Sequence, residues 1–508
     1  MSGNEKPKSI IIIGAGFAGL SAGIYAQMNG YKTQIFEMHK LPGGLCTAWK
    51  RKWYTIDGCV HWLFGSNPKD PMYRRWQEVG IAQNREFVNA DEFMRYEGED
   101  GRTFIIYSDV DRLEKHMLEL SPQDAEVTRE FTNGIRLGIA FSNPPAESDL
   151  ALKRISKGIK FGLMMMSRGW DIQKLINTTA KDFSARFKDP LIRETLREIW
   201  FPEFSVFFLL LTLAGLHNKN AGYPIGGSLP LALALAKRYR ELGGEIHCNS
   251  CVEKILVEDN RAVGIRLADG SEHRAGRVVS AADGYTTIFK MLDGKYADEK
   301  TREPYEKWPV FTPLILIGLG INRTFDDEPK TAAGFNFPLR QPTEIAEAMR
   351  DRLSVHFFNQ DPTLAPEGKT SAVVRIRSNY QYWKELWQDK AAYDEKKSQI
   401  AHTVVELLDQ RFPGISNQVE MVDVATPLTF EHYTGNWQGS YEGWLITPQN
   451  AADKIKPRRQ ALPGLQNFKM CGQWTEPGGG LPGGIMSGRR LVQKLCKEDR
   501  KKFQTTIS

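Results

Sequence analysis

The sequence predicts an α/β chain: a Rossmann-type nucleotide-binding domain joined to a second domain of mixed α+β structure. Three observations predict it. An isoleucine-rich apolar run closes at Ile13 and passes directly into Gly14-Ala15-Gly16-Phe17-Ala18-Gly19. A helix-patterned stretch, a second short run and an acid, Glu37, follow in that order. And 508 residues exceed what one core usually supports, so two or three domains are expected.

Residues 9–13 read as a buried parallel strand, because the run is apolar throughout rather than alternating. Residues 20–29 read as a helix closed by Gly30, and residues 32–36 as the next strand. Each glycine then has a physical task. Gly14 permits the tight turn, Gly16 lets the backbone approach a pyrophosphate, and Gly19 lets helix and strand pack closely. The helix N-terminus faces the phosphates. Glu37 can accept both hydroxyls of a ribose, and its charge argues against a 2′-phosphate, hence against NADP. A GxGxxG alone is a weak signal; strand, glycines, helix, strand and acid in sequence make a strong one. Gly43 and Gly44 add a second glycine turn just beyond the acid, as a larger, extended cofactor would use.

Further along, residues 229–242 read as a helix ended by Gly243-Gly244. Residues 245–247, 262–267 and 277–281 read as strands, with Asp269-Gly270 as a turn between the last two. Residues 478–483 also satisfy GxGxxG, but no strand immediately precedes them and Pro482 interrupts. They read better as a glycine turn capping the helix 485–495 against the first nucleotide site.

Composition excludes several classes. Apolar residues are 41% and charged residues 25%, as in folded soluble proteins. The net charge of +6 comes without a long Lys/Arg block, which argues against a dedicated nucleic-acid binder. Six cysteines make no disulfide framework. Cys248 and Cys251 form one CxxC between strand-like runs, without the helix N-terminus that lowers a thiol pKa, so they read as structural. There is no second CxxC for a zinc site, and the histidines lack ligand spacing, so no metal is expected. The N-terminus carries no signal-peptide pattern. The longest apolar stretch, residues 206–216, is short for a spanning helix. A cytoplasmic location is expected, with a peripheral position on the inner face of a membrane as the extension of it. That extension rests on residues 152–170. Leu152, Ile155, Ile159, Leu163, Met166 and Trp170 recur at helical spacing, with Lys153, Arg154, Lys157, Lys160 and Arg168 between them. A helix packed on a core is the simpler reading; a basic amphipathic helix resting on an anionic surface is the other. Met164 and Met165 would soften either face.

The N-terminal unit, the stretches GGLCTAW (43–49) and DGCVHW (57–62), AGYPIGGS (221–228), and CGQW (471–474) leading to GGGLPGG (478–484) resemble the FAD-dependent flavin amine oxidase superfamily. Within it they resemble most the phytoene desaturase, carotenoid isomerase and retinol saturase group. The likeness runs from about residue 9 to about residue 495. It departs at Leu45, where the family often has arginine, which weakens an amine oxidase reading more than a saturase one. The resemblance implies FAD as cofactor. It carries cofactor contacts to Gly472, Gly480, Gly483 and Met486, and places Val252 near the adenine side. It also implies a discontinuous division. Residues 1–90, 221–300 and 446–508 would form the FAD-binding domain. Residues 91–220, with candidate membrane-facing helices, and 301–445 would form the substrate domain.

Flavin carries out redox chemistry itself, so no protein nucleophile is needed. His61, just past the cofactor-side turn, and Glu431, His432 and Tyr433, in a segment dense in titratable and aromatic groups, are candidate proton donors or acceptors. The expected activity is oxidoreduction at carbon–carbon bonds of a lipophilic polyene. The rivals are a flavin enzyme of amines or thiols and a non-catalytic nucleotide-binding scaffold. Only one well-placed nucleotide unit is visible, so electrons are expected to come from or go to an external carrier.

Overall fold

The computed structural model describes residues 8–141, 151–455 and 460–507; the side chains of residues 141, 151–161, 164, 165, 454 and 455 lie outside that description. A five-stranded parallel sheet anchors the N-terminus. Its order is Glu245–His247, Lys32–Phe36, Ser9–Ile13, Arg277–Ser280 and Phe468–Met470. The central strand explains its own sequence. Ile10 and Ile12 enter one core while Ile11 and Ile13 enter another on the opposite face, so every position is apolar.

The first helix is Phe17–Met28, three residues earlier at its start than the sequence pattern suggests. Gly16 is its N-cap and Gly30 (φ +73°) terminates it. The last helix, Leu481–Glu498, lies directly against it. A Cβ on Gly488 would stand 2.7 Å from Ala18 O and Ala22 N, and one on Gly484 would stand 3.4 Å from Phe17 Cβ. The glycines therefore let two helices pack nearly backbone to backbone, with both N-termini at the same end.

One turn joins different strands from those expected. Asp269-Gly270 connects Arg261–Leu267 to a short antiparallel strand, Glu272–Arg274. Arg277–Ser280 belongs instead to the parallel sheet, where it pairs with Ser9–Ile13.

A second sheet has seven strands of mixed direction. Their order is Val419–Ala425, Leu314–Ile321, Thr370–Arg377, Ala348–Phe357, Phe335–Ile345, Glu92–Glu97 and Thr103–Tyr107. Helix Lys390–Arg411 covers one face through Ile400, Val404 and Leu408. The other face receives the hairpin Ala48–Arg51/Tyr54–Asp57. Gly318 and Gly320 make this possible: a Cβ at either would stand 2.5 or 2.3 Å from Ile56 or Tyr54.

Helices between residues 110 and 217 form a third core beside this sheet. Val206–His217 is a core helix, with only Phe207's neighbours Phe208 and Leu211 and the terminal His217 keeping partial exposure. Most of that apolar run is therefore spent on packing. The helix Ala151–Ile176 divides along its length. Ile172, Leu175 and Ile176 are buried. Leu163, Met166 and Trp170 are 60%, 87% and 83% exposed, which overturns the core-packed reading for these three. The side chains of Leu152, Lys153, Arg154, Ile155, Lys157, Ile159, Lys160, Met164 and Met165 lie outside the described residues. Among the described residues, no helix is long and apolar enough to cross a membrane.

Candidate active site

Several sequence-predicted cofactor residues converge on the N-terminus of helix Phe17–Met28. Gly14 adopts φ +94°, and a Cβ on Gly19 would stand 2.0 Å from Gly14 O. Gly16 bridges Gly43, Gly43 N donates to Ala15 O at 2.9 Å, and a Cβ on Gly44 would lie 3.4 Å from Gly16 Cα. Gly472 brings a further segment in: its N–H donates to Ser487 Oγ at 2.9 Å, and a Cβ there would touch Ala18. Gly480 caps the last helix, with Gly483 and Met486 in its first two turns. Neither helix N-terminus has a side-chain cap, so their N–H groups and dipoles are directed at one region.

Gly16 supplies the test of fit. Its backbone, φ −70° and ψ 178°, is open to any residue, and a Cβ there would meet nothing within 4 Å. Nothing in the protein demands glycine at this position. A ligand passing over the backbone would.

Glu37 is buried at the end of its strand and accepts from Ala15 N at 2.7 Å and from His39 N at 2.9 Å. Burial pushes its carboxyl above the ordinary range, against those two bonds. Residues 248–251 run alongside, with Ser250 N donating to Glu37 O. Burial and the Glu37 charge raise both the Cys248 and Cys251 thiols, the opposite of what a redox thiolate needs. Val252 is buried at the start of the adjoining strand.

The matching stretches at 57–62 and 221–228 also meet. Asp57, wholly buried, accepts from Cys59 N, Val60 N, Ser228 N and Ser228 Oγ, all within 3.1 Å. This clamp fixes the turn that delivers His61. His61 lies deep against the seven-stranded sheet, its ring 5.4 Å from that of His356, with Arg375 Nη2 3.3 Å from its Nδ1. Burial first, then Arg375, hold His61 well below its ordinary pKa, and the same two causes push His356 down to about 3. Both rings are therefore neutral at neutral pH. Burial lowers Arg375 only to about 10, so it stays charged.

The candidates from helix Pro427–Thr434 are placed elsewhere. Glu431 accepts from Tyr380 Oη at 2.6 Å. His432 and Tyr433 are exposed, and Tyr433 packs edge-on against His39 at 5.4 Å. None of the three makes a described contact with His61. The segment just after them does turn inward. Asn436 Oδ1 accepts from Gln473 and from the Trp474 indole at 3.0 Å, and Tyr441 packs on Phe311.

Sequence reasoning missed His356 and Arg375. The signal was present: each is a polar residue inside a run of β-branched and aromatic neighbours. It also missed a line of aromatic rings leading away from His61. Trp62 lies 5.9 Å from His61 and 6.3 Å from Trp200, Trp200 stacks on Phe204 at 4.8 Å, and Phe204 reaches Phe208 and Phe311 at 6.5 Å. Trp62, Trp200 and Phe208 keep partial exposure, so the line is not sealed core.

A family model described as "Flavin containing amine oxidoreductase" matches residues 17–496. The chain belongs to that family. Among curated relatives it is similar to a chloroplastic prolycopene isomerase of Daucus carota, 24% identical over 98% of this chain and 82% of the relative. It is also similar to a lycopene-forming phytoene desaturase of Pseudescherichia vulneris, 23% identical over 97% and 99%. Among solved structures it resembles an oxidoreductase from Methanosarcina mazei, with TM-score 0.58 and 18% identity over 96% of this chain and all of the other. It also resembles a putrescine oxidase, with TM-score 0.61 and 14% identity over 97% and 99%. At such identities the solved structures speak for the fold alone. This member of the flavin amine oxidoreductase family is an FAD-dependent oxidoreductase with an α/β Rossmann-type cofactor domain.

Proposed function

We propose that this oxidoreductase acts on carbon–carbon bonds of a long, lipophilic, polyene or isoprenoid-like substrate, by desaturation, saturation or isomerisation. The observation that carries the reading is the near end-to-end similarity to relatives named phytoene desaturase and prolycopene isomerase. The aromatic line from Trp62 through Trp200 and Phe204 to Phe208 supports it, since such a surface suits a conjugated chain. A cationic amine suits the site poorly. The fixed charge beside His61 is the Arg375 guanidinium, which repels an ammonium, and the Asp57 oxygens already accept four hydrogen bonds.

In this reading the glycine backbone at Gly14, Gly16, Gly43 and Gly44 borders the FAD pyrophosphate between the two helix N-termini. Glu37 takes the ribose, Val252 lies on the adenine side, and Gly472, Gly480, Gly483 and Met486 border the ring. FAD, when bound, supplies the two-electron chemistry. The chain binds, orients and excludes water. Neutral His61 is the side chain placed to hold or move a proton there, in preference to the exposed His432 and Tyr433. The substrate enters from a membrane surface, on which Leu163, Met166 and Trp170 rest. An electron acceptor or donor outside the chain completes turnover.

Anaerobic titration of the FAD-loaded protein with polyene hydrocarbons and with small amines tests the reading. Flavin bleaching or reoxidation by the polyenes alone is expected. Reaction with a small polar amine alone would overturn it.

A further inference from the structure

The inner face of the seven-stranded sheet carries two arginines on one strand, two residues apart, and they are treated differently. Arg377 is fully engaged. It donates to Glu198 Oε2 at 3.1 Å, to Glu198 O and to Trp200 O, and its guanidinium lies 4.5 Å from the centre of the Phe201 ring. Arg375 has one hydrogen bond among the described residues, to His61 Nδ1. No described carboxylate lies within ion-pair distance of it. The acid with the largest influence on it is Asp57, whose oxygens are committed to Ser228 and to two backbone N–H groups.

The neighbours repeat the pattern. His356 is 1% exposed, and neither of its ring nitrogens has a hydrogen-bond partner among the described residues. The Oε1 atom of Gln360 is likewise buried without one. His61 and Gln360 border a small cavity with Val88, Ala221, Tyr223 and Lys330. His61, Arg375 and Tyr441 lie deep in the protein yet keep accessible surface, as side chains do around an internal space. A charge and several polar groups held out of water without partners are costly. They persist where a ligand completes them. The donation from Arg375 also fixes His61 as acceptor at Nδ1, so its Nε2 carries the proton and is a further donor.

We propose that the unpaired Arg375 guanidinium receives a carboxylate: the substrate is a long polyenoic or isoprenoid acid, its acid end held by Arg375 with His61 and His356 around it and its apolar chain along Trp62, Trp200 and Phe204. The proposal rests on the lipophilic-substrate reading and narrows it from hydrocarbon to acid. Arg375 acts as the counter-ion and takes no part in electron transfer.

The test uses the FAD-loaded protein and three probes: a long-chain polyunsaturated fatty acid, its methyl ester, and an unfunctionalised polyene. Binding is read from the flavin absorption spectrum under anaerobic conditions. The acid should bind roughly 10- to 100-fold more tightly than the ester, the increment of a charge-assisted hydrogen bond. Arg375→Gln should bring that ratio near one with the ester's affinity and the FAD content unchanged, and Arg375→Lys should restore part of it. Equal binding of acid and ester by the unaltered protein would overturn this proposal and leave the lipophilic reading intact. So would an acid preference that survives Arg375→Gln. Failure of all three probes to bind would overturn both. If the variants lose FAD, the ratio in the unaltered protein decides alone.

Discussion

Gly16 offers a test in which folding and cofactor binding should separate. Because its φ and ψ are open to any residue and a Cβ meets nothing within 4 Å, Gly16→Ala should leave the FAD-free protein as stable as before. It could gain about 0.4–1 kcal/mol through a less flexible unfolded chain. The same methyl group would stand on the surface proposed for the pyrophosphate. Overpacking of that kind costs about 1–3 kcal/mol, or roughly 5- to 150-fold in Kd, and Gly16→Val should abolish binding. Gly488→Ala is the contrast. Its Cβ would stand 2.7 Å from two backbone atoms of the first helix, which can yield only by parting the helices. That should destabilise the FAD-free protein itself by about 1–3 kcal/mol. Urea denaturation of stripped protein reads the first quantity, and quenching of FAD fluorescence on titration reads the second. If Gly16→Ala unfolds the protein as Gly488→Ala does, or binds FAD as the unaltered protein does, the assignment of Gly16 to the cofactor is wrong.

Three further outcomes are expected. Leu163→Glu, Met166→Glu and Trp170→Glu together should abolish flotation with anionic liposomes while leaving the melting temperature nearly unchanged, because all three side chains are exposed; retained flotation would remove this helix from the membrane reading. NADH should not reduce the bound flavin rapidly under anaerobic conditions, and saturating reduction at micromolar NADH would require a nucleotide site not described above. His356 is held neutral down to about pH 3 against about 6.5 when unfolded, so the unfolded state binds the extra proton and His356 lowers stability by about 1.4 kcal/mol per unit as pH drops below 6.5; His61, also held low, adds a slope of the same sign, so His356→Gln should reduce the slope in urea titrations at pH 5 and 7 without abolishing it, and parallel slopes would contradict it.

The cofactor end was legible because its constraints are local. A strand that must be apolar on both faces, a turn that needs Gly14 at positive φ, and a helix that packs on Gly19 all leave marks within thirty residues. The helix start was misjudged by three residues because its N-cap, Gly16, has no side chain to announce it. The Asp269-Gly270 turn was recognised, but its downstream partner was not. Glu272–Arg274 is a short, mostly exposed strand with no apolar signature, and the conspicuous run after it belongs to another sheet. On helix Ala151–Ile176 the apolar spacing was read correctly, yet spacing alone cannot say whether a stripe meets protein or solvent. The exposure of Leu163, Met166 and Trp170 decides it for those three.

The chemistry beyond the cofactor was hidden for a different reason. His61 is 314 residues from Arg375 in sequence and similarly far from His356, and it meets them only because a hairpin settles on a sheet. Gly318 and Gly320 allow that approach, and in sequence they merely look like weak points in a strand. The dense segment at Glu431, His432 and Tyr433 drew notice because its titratable groups are consecutive. On a helix, consecutive residues point in different directions, and here two of the three point to solvent. Arg377 and Arg375 share a strand and a face. What separates them is that Glu198 reaches the first and no described carboxylate reaches the second. A partner supplied by the chain makes an arginine structural. One that the chain omits is the ground for the proposed carboxylate site, beside the candidate proton-carrying histidine at the start of the aromatic line.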